Sequence, residues 1–259
     1  MSRLLSSLPL WLGGLLIVVL PTALAMAGPI VVRRRYSLER LTTNNEIAGF
    51  KFATVGVIYA VLLAFAIIIV WQRFTDAESA VVEEAGASAT LYRLADGAEP
   101  EAVAMRAALS NYLELAVARD WPQMAREHDS RDVLRALDDL YGATLRLAHT
   151  GTRPQAVLVE MFHQLDQVTQ ARRSRLHLAV GIVPGMLWNV LILGGVLTVL
   201  FTFFFGTRNL GAQMLMTGIL ALIVFMGLFV IVSINHPFTG PVHIGSEPLE
   251  AVLADFAHR

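Results

Sequence analysis

Residues capable of ionic chemistry gather at one place in this chain, the entrance to an apolar run. From Thr42 to Glu78 the sequence reads TTNNEIAGFKFATVGVIYAVLLAFAIIIVWQRFTDAE. Asn44, Asn45 and Glu46 open it, Lys51 is the only lysine in 259 residues, and no further charge follows until Arg73. Such groups, repeated around an axis, steer ions at a pore mouth, and a positive ring favours anions. Each also has a plainer use. Thr43 and Glu46 are spaced as a capping box that starts a helix near Asn44, and a lysine at the edge of a span can snorkel to the headgroups. Gly49, Ala53, Gly56, Ala60 and Ala64 follow at steps of four, three, four and four, along one helix face. In lipid such a row lets neighbouring backbones approach; around a symmetry axis it leaves room for an aqueous path. Asn44, Asn45, Glu46, Gly49, Lys51, Ala53, Gly56, Ala60 and Ala64 form the candidate pore-lining set.

Other chemistries lack their residues. The chain has no cysteine, which removes thiolate catalysis, disulfides and cysteine-based zinc sites. Its seven histidines form no His-x-x-x-His pair. Glu160 and His163 make one Glu-x-x-His, whereas a di-metal bundle needs two plus further glutamates, so a surface hydrogen bond is expected there. No Gly-x-Ser-x-Gly, phosphate-binding loop or dinucleotide fingerprint occurs. The apolar blocks hold no acidic residue, against a proton- or sodium-coupled transporter. A net charge of −1 gives no argument for nucleic acid. The expectation is a chain with no enzymatic activity, cofactor or metal.

The elements that must position these residues are legible from hydropathy. The chain is 55% hydrophobic, with a mean hydropathy of +0.58, concentrated in blocks. Four blocks meet the requirement of about 20 apolar residues per span: Leu4 to Val32, Phe52 to Gln72, Leu176 to Thr207, and Met214 to Ile234. The first is too long for a signal-peptide core, is interrupted by Pro21 and runs into Arg33, Arg34 and Arg35, so it is expected to stay as a span. Pro29 to Thr43 is a basic connection, and Gly206 to Gly211 a tight turn.

Residues 73–175 are polar, with twelve arginines against sixteen carboxylates. They read as helix throughout. Asp96-Gly97 with Pro100 ends the helix continuing from span two, Val103 to Leu115 carries apolar residues at mostly helical spacing, Trp121-Pro122 starts a short piece, Val133 to Ala148 is amphipathic, and Pro154 opens a further helix through Val157, Val159, Phe162, Leu165 and Val168. The predicted fold is all-α, a polytopic membrane protein of four transmembrane helices with a helical bundle inserted between spans two and three. Its predicted division is 1–72 (spans one and two), 73–175 (soluble helices), 176–234 (spans three and four) and 235–259, docking on the soluble region.

Four spans place both termini and the bundle on one side. Near the spans that side has Arg3, Arg73, Arg172, Arg173 and Arg175, and the other has Arg33, Arg34, Arg35, Arg40, Lys51 and Arg208. Five against six decides nothing by the positive-inside rule.

The stretch Asn235-His236-Pro237-Phe238-Thr239-Gly240 and the later Glu247-Pro248-Leu249-Glu250 resemble the segment after the last span of bestrophins. The second span, GFKFATVGVIYAVLLAF, with its exit VWQRFTDAE, is similar to bacterial bestrophin-like membrane proteins over essentially the full chain. Bestrophins are pentameric anion channels whose second span lines a hydrophobic neck and whose helical region is cytosolic. The resemblance therefore implies a homo-oligomer, a pentamer, in a bacterial inner membrane. It also implies span two on the pore, cytoplasmic termini and 73–175, and partners no more exotic than membrane lipid and small inorganic ions. Two features depart from the pattern. The acidic cluster that binds calcium in animal bestrophins is reduced to Glu247 and Glu250, and the neck's large apolar residues face small Gly49, Gly56 and Ala60 here. The alternative expectation is a non-conducting membrane scaffold or sensor whose helices bind a protein partner.

Overall fold

The computed structural model describes residues 9–43, 45–240 and 242–258. Every regular element among them is helical. In chain order these are α1 (Leu10–Arg35), α2 (Leu38–Thr42), α3 (Asn45–Leu94), α4 (Pro100–Leu115), a π-helical turn (Ala116–Asp120), α5 (Trp121–Met124), α6 (Arg131–His149), α7 (Gln155–Leu178), α8 (Gly185–Thr202), α9 (Leu210–Ile234) and α10 (Glu247–Ala257). Helices α1, α3, α8 and α9 are each long and apolar enough to cross a membrane. This is the solution lipid demands, since a helix satisfies its own backbone where no water can.

The chain divides into two compact units. One comprises 1–72, 181–236 and 240–242; the other comprises 73–180, 237–239 and 243–259. The boundary falls inside α3, one unbroken helix of 50 residues. Where the sequence suggested 175/176 as the next boundary, α7 runs on to Leu178 and the following span begins only at Gly185, after Pro184.

The membrane unit packs by fitting large side chains onto glycine. A Cβ on Gly195 would lie 2.7 Å from the Tyr59 hydroxyl oxygen, and one on Gly227 would lie 2.8 Å from Leu63 Cδ2. Glycines of α8 and α9 thus receive α3, the converse of the expected row of small residues on α3. Tyr59 adds a hydrogen bond, donating to the Leu191 carbonyl at 3.1 Å. At the other end of these spans Asn235 closes the unit, its backbone and side-chain oxygens accepting from the N–H groups of Ile182 and Val183 at 3.2 and 2.9 Å.

Two prolines expected to break helices do not. Before Pro21 and before Pro122 the helix widens into a π turn, Leu15–Val19 and Ala116–Asp120, closed by bonds from Leu20 N–H to Leu15 and from Trp121 N–H to Ala116. The extra residue accommodates the ring that would otherwise strike the carbonyl one turn back. Pro29 is likewise inside α1, which continues to Arg35, so the basic connection is shorter than Pro29 to Thr43.

The soluble unit has a conventional core. Helix α6 shows the clearest amphipathic register, burying Val133, Ala136, Leu137, Leu140, Ala143 and Leu147. In α4 the buried face is Ala102, Met105, Leu109, Tyr112 and Leu113, one residue round from the expected start, and Val103 is exposed. Helix α7 contributes Met161, Leu165 and Val168 but leaves Val159 outside. Phe238, Ile244, Leu249 and Phe256 of the C-terminal segment join this core. Phe238 meets Trp121 edge-on, with centroids 6.1 Å apart, and Phe256 stacks on Tyr92. That is the apolar seat a Pro-Phe run needs.

Inside this core lies an ionic cluster. The Arg175 guanidinium, fully buried, donates from Nε and Nη2 to the two oxygens of buried Glu84 at 2.7 and 3.0 Å. It lies 4.4 Å over the Trp121 ring. Asp120, turned inward by the π turn, accepts from Arg172 Nε at 3.0 Å and from the Ser130 N–H at 3.1 Å. Tyr112 donates to Glu84 at 2.6 Å. Burial works against the Arg175 charge, but the Glu84 carboxylate outweighs it and holds the pKa above the ordinary value. Burial, then the neighbouring Glu84 charge, pushes the Tyr112 hydroxyl well above its usual 10.0.

Removing one member strands its partner. Glu84→Ala should destabilise the soluble unit by about 3–5 kcal/mol in denaturant titrations followed by tryptophan fluorescence, and Glu84→Leu combined with Arg175→Met should recover most of that loss. A raised tyrosine pKa gives stability that is intact below 10 and lost as pH rises, because the unfolded chain ionises first. Wild-type stability should therefore fall from about pH 10 upward, and Tyr112→Phe should make that fall shallower while lowering stability at pH 7 through the lost hydrogen bond.

Candidate functional site

The N-terminal half of α3 begins in a polar knot. Asn45, in its first turn, is bonded at both ends of its amide: Nδ2 donates to the Gly206 carbonyl at 2.6 Å, and Oδ1 accepts from the Gly206 N–H at 3.0 Å. Arg33, in the last turn of α1, donates to the Thr207 carbonyl and to Gln213 Oε1, the latter at 3.0 Å. The Gln213 amide in turn donates to the carbonyl of Phe205. Loop carbonyls that no helix could satisfy are thus taken up by side chains from three spans. Gly206 is required there, since a Cβ would come within 2.8 Å of the Thr42 backbone nitrogen.

The expected capping box does not form. Thr43 belongs to the end of α2, and its hydroxyl donates back to the Glu39 carbonyl at 2.6 Å. Helix α3 starts at Asn45, and Asn44 lies outside the described residues. Asn45 does something more useful than a cap, and Gln213, which sequence reasoning passed over, holds the same loop. Its signal was a lone amide four residues after Asn209, at the start of an apolar block.

Helix geometry then sorts the candidates. One side of α3 is buried against its own spans through Tyr59, Leu63, Ala66 and Val70. At about 100° per residue, Gly49, Ala53, Gly56, Ala60 and Ala64 lie about a quarter turn from that side. Asn45 and Glu46 flank the same row. Lys51 lies about half a turn from the row's centre, so the two features singled out together do not share a side. Among the described residues, no atom beyond the glycine's own neighbourhood in the helix comes within 4 Å of a Cβ built on Gly49 or Gly56. The row instead borders two apolar grooves. One, of about 470 Å³, is lined by Asn45, Gly49, Phe52, Phe205, Met216 and Leu220 among others; the second, of about 370 Å³, takes in Ala53, Gly56 and Ala60 with Leu220 and Val224.

The side directly opposite the buried one carries Phe50, Thr54, Val57, Val61 and Ile68, all exposed; Lys51, near the helix start, lies about a quarter turn from it, on the flank away from the small-residue row. Thr54 satisfies itself on the Phe50 carbonyl at 3.3 Å. The remaining surface is large, apolar and exposed among the described residues. Its chemistry is exclusion of water along most of its length, with one positive charge near one end.

Metal chemistry gains no support from the geometry. No cluster of three histidine or carboxylate residues able to hold an ion occurs among the described residues. Glu160 and His163 are each engaged by a glutamine one turn on, Gln164 at 2.6 Å and Gln167 at 3.2 Å, as the surface hydrogen-bond reading expected.

Comparison with known proteins agrees with this architecture. No curated protein matches the chain. Among solved structures, the bacterial bestrophin homolog from Klebsiella pneumoniae is similar at 16% identity, covering 92% of this chain and 95% of that one with a TM-score of 0.70. Two variants of that Klebsiella homolog align at 15% identity over 93% of this chain and 99% of theirs, with TM-scores of 0.75 and 0.73. At such identity the likeness is one of fold. The model of the Bestrophin-like domain matches residues 19–249, from the first span through the start of α10. With nearly the whole chain matched in sequence and the helical architecture matched in space, the protein belongs to the Bestrophin-like family.

Proposed function

We propose that this protein is a homo-oligomeric ion channel, a pentamer on the family's pattern, in which copies of α3 surround the ion path in a bacterial inner membrane. The observation that carries the reading is the side of α3 turned away from α8 and α9. In a ring whose other spans pack behind α3, that side fronts the axis. It is bare from Phe50 to Ile68, long enough to cover most of the hydrocarbon thickness at 1.5 Å per residue. The small residues Ala53, Gly56, Ala60 and Ala64 then sit at the flank of each helix, where neighbouring backbones approach closely. Lys51 stands near the mouth. An apolar neck with positive charge at its entrance favours small anions, the lysine ring raising their local concentration. Both termini and residues 73–175 face the cytoplasm, and Lys51 the opposite side.

Purified protein in planar bilayers tests conduction. Wild type should pass chloride more readily than sodium. Lys51→Glu should lower the chloride-to-sodium permeability ratio by about fivefold in 10 mM salt, where the Debye length is about 30 Å, and by much less at 1 M, where it is about 3 Å. Absence of current under every salt, pH and voltage would hand the chain to the scaffold reading.

Topology has its own measurement. A reporter that folds only in the cytoplasm, fused after Arg259, should be active, and a periplasm-specific reporter at the same position should stay silent. The reverse pattern would put Lys51 at the cytoplasmic mouth.

A further inference from the structure

One end of the membrane unit holds more positive charge than its own carboxylates answer. The end of α1 brings Arg33, Arg34 and Arg35, α2 brings Arg40, α3 brings Lys51 and the α8–α9 connection brings Arg208, against Glu39 and Glu46. These segments are in contact. Arg33 bonds Thr207, next in chain to Arg208, while Gly206 abuts the Leu41–Thr42 backbone and Asn45. Tyr36 and Phe204 add an aromatic pair with centroids 6.4 Å apart. Arg34, Arg35, Arg40 and Arg208 are exposed, and none makes an ion pair among the described residues. Thr207, bonded to Arg33 and next in chain to Arg208, lines the groove of about 470 Å³ together with Asn45, Gly49, Phe52, Met216 and Leu220 among others.

We propose that this end binds an anionic phospholipid, its phosphate held by Arg34, Arg35, Arg40 and Arg208 and one acyl chain lying in the groove. Guanidinium groups match phosphate oxygens in geometry and charge. An apolar slot of this size suits a hydrocarbon chain. Charge and slot meet at Thr207 and Asn45, so both parts of one lipid are served at once. A free phosphate would use only the first part and a neutral lipid only the second. Tyr36, exposed just after α1, is of a residue type enriched at membrane interfaces. The proposal does not rest on conduction: the side of α3 assigned to the ion path is not the side that lines the groove.

The test uses the full chain in a neutral detergent, with thermal unfolding followed as lipid is added. Phosphatidylglycerol at a hundredfold excess over its Kd should raise the unfolding temperature by about 5 °C. Phosphatidylcholine of the same chain length, and inorganic phosphate at the same concentration, should leave it unchanged. In the variant Arg34→Gln, Arg35→Gln, Arg40→Gln, Arg208→Gln, the phosphatidylglycerol midpoint should move up by at least about tenfold, since each cation near an anionic lipid surface contributes about fivefold. The variant should unfold at the wild-type temperature without lipid. Six-carbon phosphatidylglycerol should bind at least tenfold more weakly than the sixteen-carbon form. Equal stabilisation by phosphatidylcholine, a full effect from inorganic phosphate, or an unmoved midpoint in the variant would each overturn the assignment. Should the variant not fold, the wild-type comparison of lipids decides alone.

Discussion

The soluble half of α3 is held by a pair of charges with no access to water. Glu84 and Arg175 are both fully buried and meet through a two-bond fork. Taking such charges out of water costs several kcal/mol per ion before their attraction repays it, so the arrangement is tolerable only with every lone pair and N–H engaged. Tyr112 supplies one more bond to Glu84 and Asp120 a second acceptor for Arg175. A geometry this constrained fixes the rotation of α3 about its own axis. Within the soluble unit this sets which residues of α3 face the core, Ala77, Val81, Ala85 and Leu91 among them.

The same cluster reaches the C-terminal segment. Arg175 lies against the Trp121 ring, Trp121 donates to the Ile244 carbonyl at 3.3 Å and meets Phe238 edge-on. The stack puts a long-range polar contact beneath a short run of backbone that has little secondary structure of its own before α10. In the membrane unit the organising force is different. Lipid offers no hydrophobic gain for bringing helices together, so contact quality decides. Tyr59 and Leu63 settle on glycines, while Arg33, Asn45 and Gln213 take up the loop groups that lipid would leave unsatisfied.

Membership of the Bestrophin-like family and the exposure of α3 draw attention to one helix side, while helix geometry removes an ambiguity within it. A row of small residues and a lone lysine near one mouth suggested a single lining. On a regular helix they face opposite ways, each about a quarter turn from the side of large apolar residues.

Composition and periodicity alone determined the all-helical class, the four spans, the continuation of span two into the soluble helices and the turn at Asp96-Gly97. Each follows from local physics: backbone hydrogen bonds must close within a span, and glycine or proline punctuates a helix wherever it stands. Tertiary structure alone decided the rest. A proline looks like a break until a π turn absorbs it, as before Pro21 and Pro122. Thr43 looks like a cap until Glu39, four residues back, takes its hydroxyl. Val103 and Val159 are as apolar as their buried neighbours, and only the packing partner tells them apart. Arg175, one basic residue among twelve in 73–175, reads as a solvated charge until Glu84, 91 residues earlier, is brought beside it. Pairings across such distances leave no trace in spacing, because their free energy exists only once the intervening helices have packed.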